Sequence, residues 1–187
     1  QGRAIKGQCT LHLADVAAFA SGQIFVMLPP DDSTTLESAL KRLKSALSTS
    51  PLYLAASHLY RGNDRARIAA LMEASQRCGT QLVATNDVLY HTSQRRPLQD
   101  VLTCVREHTV IEEAGFLLEA NAERHLKNPT EMARLFAGFE DAVLRAIEVA
   151  AACRFSLDEL VYEYPDEPVP PGKTAQEHLE ALTLEGL

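Results

Sequence analysis

No two cysteines in this sequence stand close together. Cys9, Cys78, Cys104 and Cys153 are the only four. None forms a C-x-x-C pair, which removes zinc-ribbon and thioredoxin-type chemistry. Their long, irregular spacing predicts reduced and mostly buried thiols, as in a cytoplasmic protein. The chain also lacks any apolar run near the ~20 residues that a membrane span needs. It opens on Gln1-Gly2-Arg3, with no initiator methionine and no charged-then-apolar leader. A chain that opens so abruptly is expected to be a segment of something longer. There is no basic excess either. The net charge of -7 argues against a dedicated nucleic-acid-binding module, which would present a basic face. G-x-G-x-x-G, H-E-x-x-H and G-x-S-x-G are all missing, so dinucleotide-binding, zinc-protease and nucleophile-elbow readings have no footing.

What is present is enough apolar residue to build a core. The 187 residues are 46% hydrophobic, which suits one medium domain or two small ones. Residues 23–28 (QIFVML) read as a buried strand stopped by Pro29-Pro30. Asp31 to Ser33 then supply caps for a helix to about Leu47, with Leu36, Leu40, Leu43 and Leu47 on one face. Residues 51–56 (PLYLAA) predict a second strand. Gly62, Asn63 and Asp64 open a second helix bearing Ile68, Leu71 and Met72, closed by Cys78-Gly79. Residues 81–85 (QLVAT) predict a third strand. Strand–helix–strand–helix–strand implies parallel strands joined by crossovers.

From about Ser93 the pattern turns helical. Asn128-Pro129-Thr130-Glu131 is a strong start signal. Residues 139–153 form an Ala-rich helix, Ser156 caps a short one, and residues 164–172 (YPDEPVPPG) read as an extended linker. Thr174 with Glu177 three residues on is a capping box for a last helix.

Few residues offer chemistry. Pro171-Gly172-Lys173-Thr174 ends like a phosphate-binding loop. However, the earlier glycine of that pattern is replaced by Glu167, and a Pro-rich linker stands where a strand should be, so a linker running into a capped helix is the better reading. Asn86-Asp87 follows the third strand directly. The carboxyl ends of parallel strands are where ligands bind, and a carboxylate there can hold a metal or act as a base; alternatively, Asn-Asp only makes the turn. His58 follows the second strand, and His91 lies four residues beyond Asp87. Two histidines and an aspartate could converge on one metal, or each histidine could be an ordinary loop residue. Arg95-Arg96 before Pro97 could touch a phosphate or pair with acids.

Four blocks carry a family resemblance: residues 82–91 (LVATNDVLYH), 95–107 (RRPLQDVLTCVRE), 121–136 (NAERHLKNPTEMARLF) and 162–179 (YEYPDEPVPPGKTAQEHL). In wording, order and spacing they resemble successive blocks of the error-prone bacterial C-family DNA polymerases, relatives of the DNA polymerase III alpha subunit. Residues 10–20 (TLHLADVAAFA) and 52–68 (LYLAASHLYRGNDRARI) match more loosely. The resemblance implies an α/β fold: a partial PHP-type distorted β/α barrel with parallel strands over residues 1–92. A mainly α-helical region leading towards the polymerase palm would follow over residues 93–187.

The implied activity of the parent protein is template-directed nucleotide addition to DNA, across damaged DNA in the error-prone branch. It uses deoxynucleotides, palm carboxylates and Mg ions that lie beyond Leu187, together with other replication or mutagenesis subunits. The family's late metal motif is Asn-Asp-x-His. Asn86 and Asp87 match it, but Leu89 stands at the histidine position. Leucine cannot bind metal. Asp87 is the candidate ligand carried over; the resemblance leaves open whether His58, in the middle ligand segment around residues 57–61, substitutes, and an intact Mn or Zn site is not expected. No catalytic or cofactor-binding residue is assigned to this chain.

The expected role is a structural segment bracing a polymerase. A stand-alone metal-dependent phosphoesterase is disfavoured by Leu89. A helical protein-interaction scaffold would show a large exposed apolar patch on residues 93–187. Half a barrel leaves a sheet edge open, which predicts self-association of the isolated chain.

Overall fold

The computed structural model describes residues 5, 7–30, 32–161 and 168–186. They fall into two compact units, a larger one up to Cys153 and a smaller one from Arg154 onward. The larger unit runs α1 (Leu13–Ala18), β1 (Phe25–Met27), α2 (Leu36–Ala46), β2 (Leu52–Ser57), α3 (Asp64–Cys78), β3 (Gln81–Thr85), α4 (Arg96–Glu107), α5 (Ile111–Ala114), α6 (Pro129–Leu135) and α7 (Glu140–Ala152). The smaller unit contains α8 (Ala175–Glu185).

The three strands form one sheet in the order β1-β2-β3, with both pairings parallel. The parallel pairing is what the strand–helix alternation predicts; the order comes from the structure. β3 coincides with the expected strand. β1 is three residues long, shorter than the apolar run that suggested it.

Period-two alternation decides which side chains of the sheet meet the helices. Leu54 pairs in register with Leu82, and Ala56 with Ala84. All four are buried in one cluster with Leu36 and Leu40 of α2 and Ile68, Leu71 and Cys78 of α3. Phe136, with no exposed surface, and Ala142 of α7 complete that cluster, and α7 packs on β3. The core thus draws on both sides of the change of pattern at 92/93. A fully buried Phe or Leu contributes roughly 1.5–3 kcal/mol, so Phe136 belongs to the fold as firmly as any strand residue.

Helix ends follow their sequence signals. Asp32 accepts from the Thr34 N–H at 2.9 Å before a 3-10 turn leads into α2; Asp31 lies outside the described residues. The Asn128 side chain accepts from the Glu131 N–H at 2.8 Å, with Pro129 in the first turn. In the smaller unit, Thr174 and Glu177 exchange bonds as a capping box. Gly79 ends α3 in the left-handed region, at φ 61°. Lys44 reaches across to the same end and donates to the Cys78 and Gly79 carbonyls at 3.1 and 2.6 Å, and a Cβ on Gly79 would lie 2.6 Å from its Nζ. The left-handed backbone favours glycine there; the Lys44 ammonium, at the end of a flexible side chain, could shift to admit a Cβ.

Two expectations need adjustment. Of the four cysteines, Cys78 and Cys104 are buried but Cys9 and Cys153 are exposed; the latter two lie near the ends of the larger unit, away from its core. Residues 164–167 of the expected linker lie outside the described residues. Gly172-Lys173-Thr174 sits in a turn closed by the Lys173 N–H on the Pro170 carbonyl at 3.1 Å, immediately before α8.

Candidate functional site

The carboxyl ends of β2 and β3 are where a parallel α/β sheet would place a ligand. The loop after β2 covers residues 58–63, and the loop after β3 covers residues 86–92. Both are occupied by the protein's own side chains, and residues 119–127, to which sequence reasoning assigned no role, bridge them.

Asn86 is buried. Its Nδ2 donates to the Glu123 carbonyl at 2.9 Å and also to the His125 carbonyl. Asp87 takes a positive φ of 44°, a conformation that aspartate tolerates in turns. Its carboxylate is ion-paired with Arg124 Nη2 at 2.7 Å, and its carbonyl accepts from Arg124 Nε at 2.8 Å. The remaining end of the same guanidinium is paired with Glu119. Arg124 therefore joins two carboxylates and a backbone carbonyl through the planar fork that arginine alone supplies. The backbones meet as well: the Leu89 N–H donates to the Arg124 carbonyl at 2.8 Å, and Tyr90 and His125 form an isolated parallel bridge.

The loop after β2 is fastened in the same manner. Asn121 Nδ2 donates to the Leu59 carbonyl at 2.7 Å. Asp64, at the start of α3, is buried and accepts from the Leu59 and Arg61 N–H groups at 2.9 and 2.6 Å. Burial alone would raise the Asp64 carboxyl. The two backbone donors, with His58 and Arg67 nearby, outweigh it and hold the group below its ordinary value. Tyr60 has a φ of 54° and directs its hydroxyl to α6, where it accepts from Arg134 at 2.7 Å. Arg134 also pairs with Glu131 at 2.7 Å. Hydrogen bonding from Arg134 brings the Glu131 carboxyl down to about 2.

The other candidates are accounted for individually. His58 stacks edge-on against Tyr60, with ring centroids 4.9 Å apart. His91 lies with Leu89, Tyr90 and Arg95 in a shallow groove against Leu98 and Leu102 of α4. Arg96 donates to the Glu119 carbonyl at 2.6 Å and pairs with Asp100 at 3.4 Å, so it is engaged within its own unit. Among the described residues, no three His, Cys, Asp or Glu gather as a metal-binding group. A metal ion at Asp87 would have to displace Arg124, and Leu89 offers it no donor. The residues present do not fit that metal. No helix of the described residues is long and apolar enough to cross a membrane.

Sequence reasoning did not find Glu119, Asn121, Arg124, Asp64 as a buried acceptor, or the Tyr60–Arg134 contact. Asn121 and Arg124 fall in a block quoted for the resemblance, but nothing local marks their partners, which are 37 to 62 residues away.

Comparison with known proteins covers nearly the whole chain. No family model matches the chain. The error-prone DNA polymerase of Rhodopseudomonas palustris (strain BisB5) is 51% identical over 187 residues, covering 99% of this chain. Its counterpart in Bradyrhizobium diazoefficiens is 52% identical over 185 residues, covering 97%. That of Caulobacter vibrioides is 50% identical over 189 residues, covering 100%. The chain spans 16–17% of the length of these curated relatives. Over essentially its whole length it is homologous to one segment of an error-prone DNA polymerase.

Proposed function

We propose that the chain serves as a structural segment of an error-prone, DNA-directed DNA polymerase, with nucleotide addition carried out elsewhere on a longer polypeptide. The observation that carries this reading is identity of about half the residues, sustained across the whole chain, to polymerases of which it spans only 16–17%. In this reading residues 1–92 are the later part of a PHP-type β/α barrel and residues 93–187 a helical connector towards the palm. The parent protein acts in the cytoplasm on DNA and deoxynucleotides with Mg ions at the palm, in damage-induced synthesis, and alongside other replication or mutagenesis subunits.

The fastening of both strand-end loops supports a bracing role. Groups that a barrel enzyme would turn towards substrate are here bonded to residues 119–136. Arg124 holds Asp87, Asn121 holds Leu59, and Arg134 holds Tyr60. Such an arrangement ties the sheet's strand-end loops to residues 119–136.

The test is primer extension. The 187-residue chain, given a primed template, deoxynucleotides and Mg ions, should add nothing. The Caulobacter vibrioides polymerase with its homologous segment replaced by this chain should extend the primer. Extension by the isolated chain, or a replaced enzyme that folds but never extends, would count against the reading.

A further inference from the structure

α4 has its amphipathicity turned outward. Its small and polar side, with Asp100, Thr103 and Cys104, faces inward; Thr103 and Cys104 are buried, and Asp100 is only 15% exposed at its side chain. Its aliphatic side faces out: Leu98 is 54% exposed, Val101 48%, Leu102 54% and Val105 67%. These four stand at i, i+3, i+4 and i+7, the spacing of a single helical ridge. A ridge of this kind is normally what a helix buries, and an exposed contiguous apolar surface marks an interaction site. Leu89 joins it through the groove beside Tyr90.

From this ridge we infer an interface within the longer polymerase: the aliphatic face of α4, extended by Leu89, is covered by polypeptide of the same chain lying outside residues 1–187. The inference rests on the reading above. The relatives' length supplies the occupant, since more than four-fifths of each lies outside the matched segment. The ridge's chemistry agrees. It is aliphatic rather than basic, on a chain of net charge -7, which does not suit nucleic acid or an anionic membrane. A dry aliphatic stripe is the composition of permanent interfaces, whose cores resemble a protein interior, and the partner face must itself be apolar. Leu89 acquires a role in this account, extending the ridge beyond the helix.

Hydroxyl-radical footprinting of the wild-type side chains tests it. The isolated chain, held at low concentration, is compared with the Caulobacter vibrioides polymerase carrying this chain in place of its own segment. Oxidation at Leu98, Leu102 and Val105 should be fast in the isolated chain and about tenfold or more slower in the long protein, because an interface core excludes water. An actively extending long protein whose ridge oxidises as fast as the isolated chain would overturn this inference while leaving the polymerase reading standing. Protection already present in the dilute isolated chain would overturn it too, as would protection in the long protein that disappears on dilution from dimer to monomer, which would mean a second copy covers the ridge. A long protein that folds but does not extend would remove the polymerase reading itself, and this inference with it.

Discussion

Asp64 shows how a residue chosen for one job locally can do another in three dimensions. At the start of a helix an aspartate is ordinarily a solvated cap or a dipole partner. Here it is buried and holds two backbone N–H groups of the preceding loop. Replacing it with alanine leaves those donors unmet, at an expected cost of about 1–3 kcal/mol, read as a lowered midpoint in urea denaturation. The folded-state carboxyl lies below its ordinary value of 3.8. Its contribution is therefore complete above that value and is lost as pH falls through the lower folded one. Asp64→Ala should flatten part of the decline in stability below about pH 4; an unchanged acid limb would contradict the linkage. Asp87 is the parallel case. After soaking with Mn and Zn ions, elemental analysis should find no stoichiometric metal in either the wild type or Asp87→Ala, since Arg124 already holds the carboxylate. Metal present in the first and absent from the second would restore a ligand role to Asp87 and with it the phosphoesterase alternative.

Elements were legible where their signals are local. The caps at Asn128 and Thr174, the closing Gly79 and the third strand all stand where hydrogen-bonding capacity, backbone freedom and apolar runs put them. The direction a helix faces is not local. The spacing of Leu98, Val101, Leu102 and Val105 identifies a ridge but not which side of it meets the core. In the isolated chain, Leu102→Glu should change stability by no more than about 0.5 kcal/mol, because the side chain it replaces is already in water. A clear loss in thermal midpoint would mean α4 is buried on that side. Phe136→Ala, by contrast, empties a fully buried position and should cost about 3–5 kcal/mol, enough to unfold much of the larger unit under conditions where the wild type is folded. Phe136 lies just past α6, in a segment with no strand of its own, so its membership of the sheet's core was invisible without coordinates.

At the scale of the molecule, three parallel strands leave both outer strands without a further partner among the described residues. Unpaired strand edges and uncovered apolar ridges favour association. Sedimentation of the isolated chain should show mass rising with concentration. Val26→Lys, on the half-exposed outer strand β1, should reduce it. A monomer over a wide concentration range would speak against an open edge. What the sequence alone determined is what short-range physics writes into it: element types and their caps, parallel strands from the alternation of strand and helix, the lack of an apolar run of membrane-spanning length, and kinship through four long blocks. Only the tertiary structure decided what those residues do. Arg124 takes the carboxylate that the sequence offered to a metal, Asn121 and Arg134 fasten the strand-end loops, and α4 turns its apolar side to solvent. Each depends on partners tens of residues apart along the chain, whose meeting is set by how the whole core packs and by no local pattern.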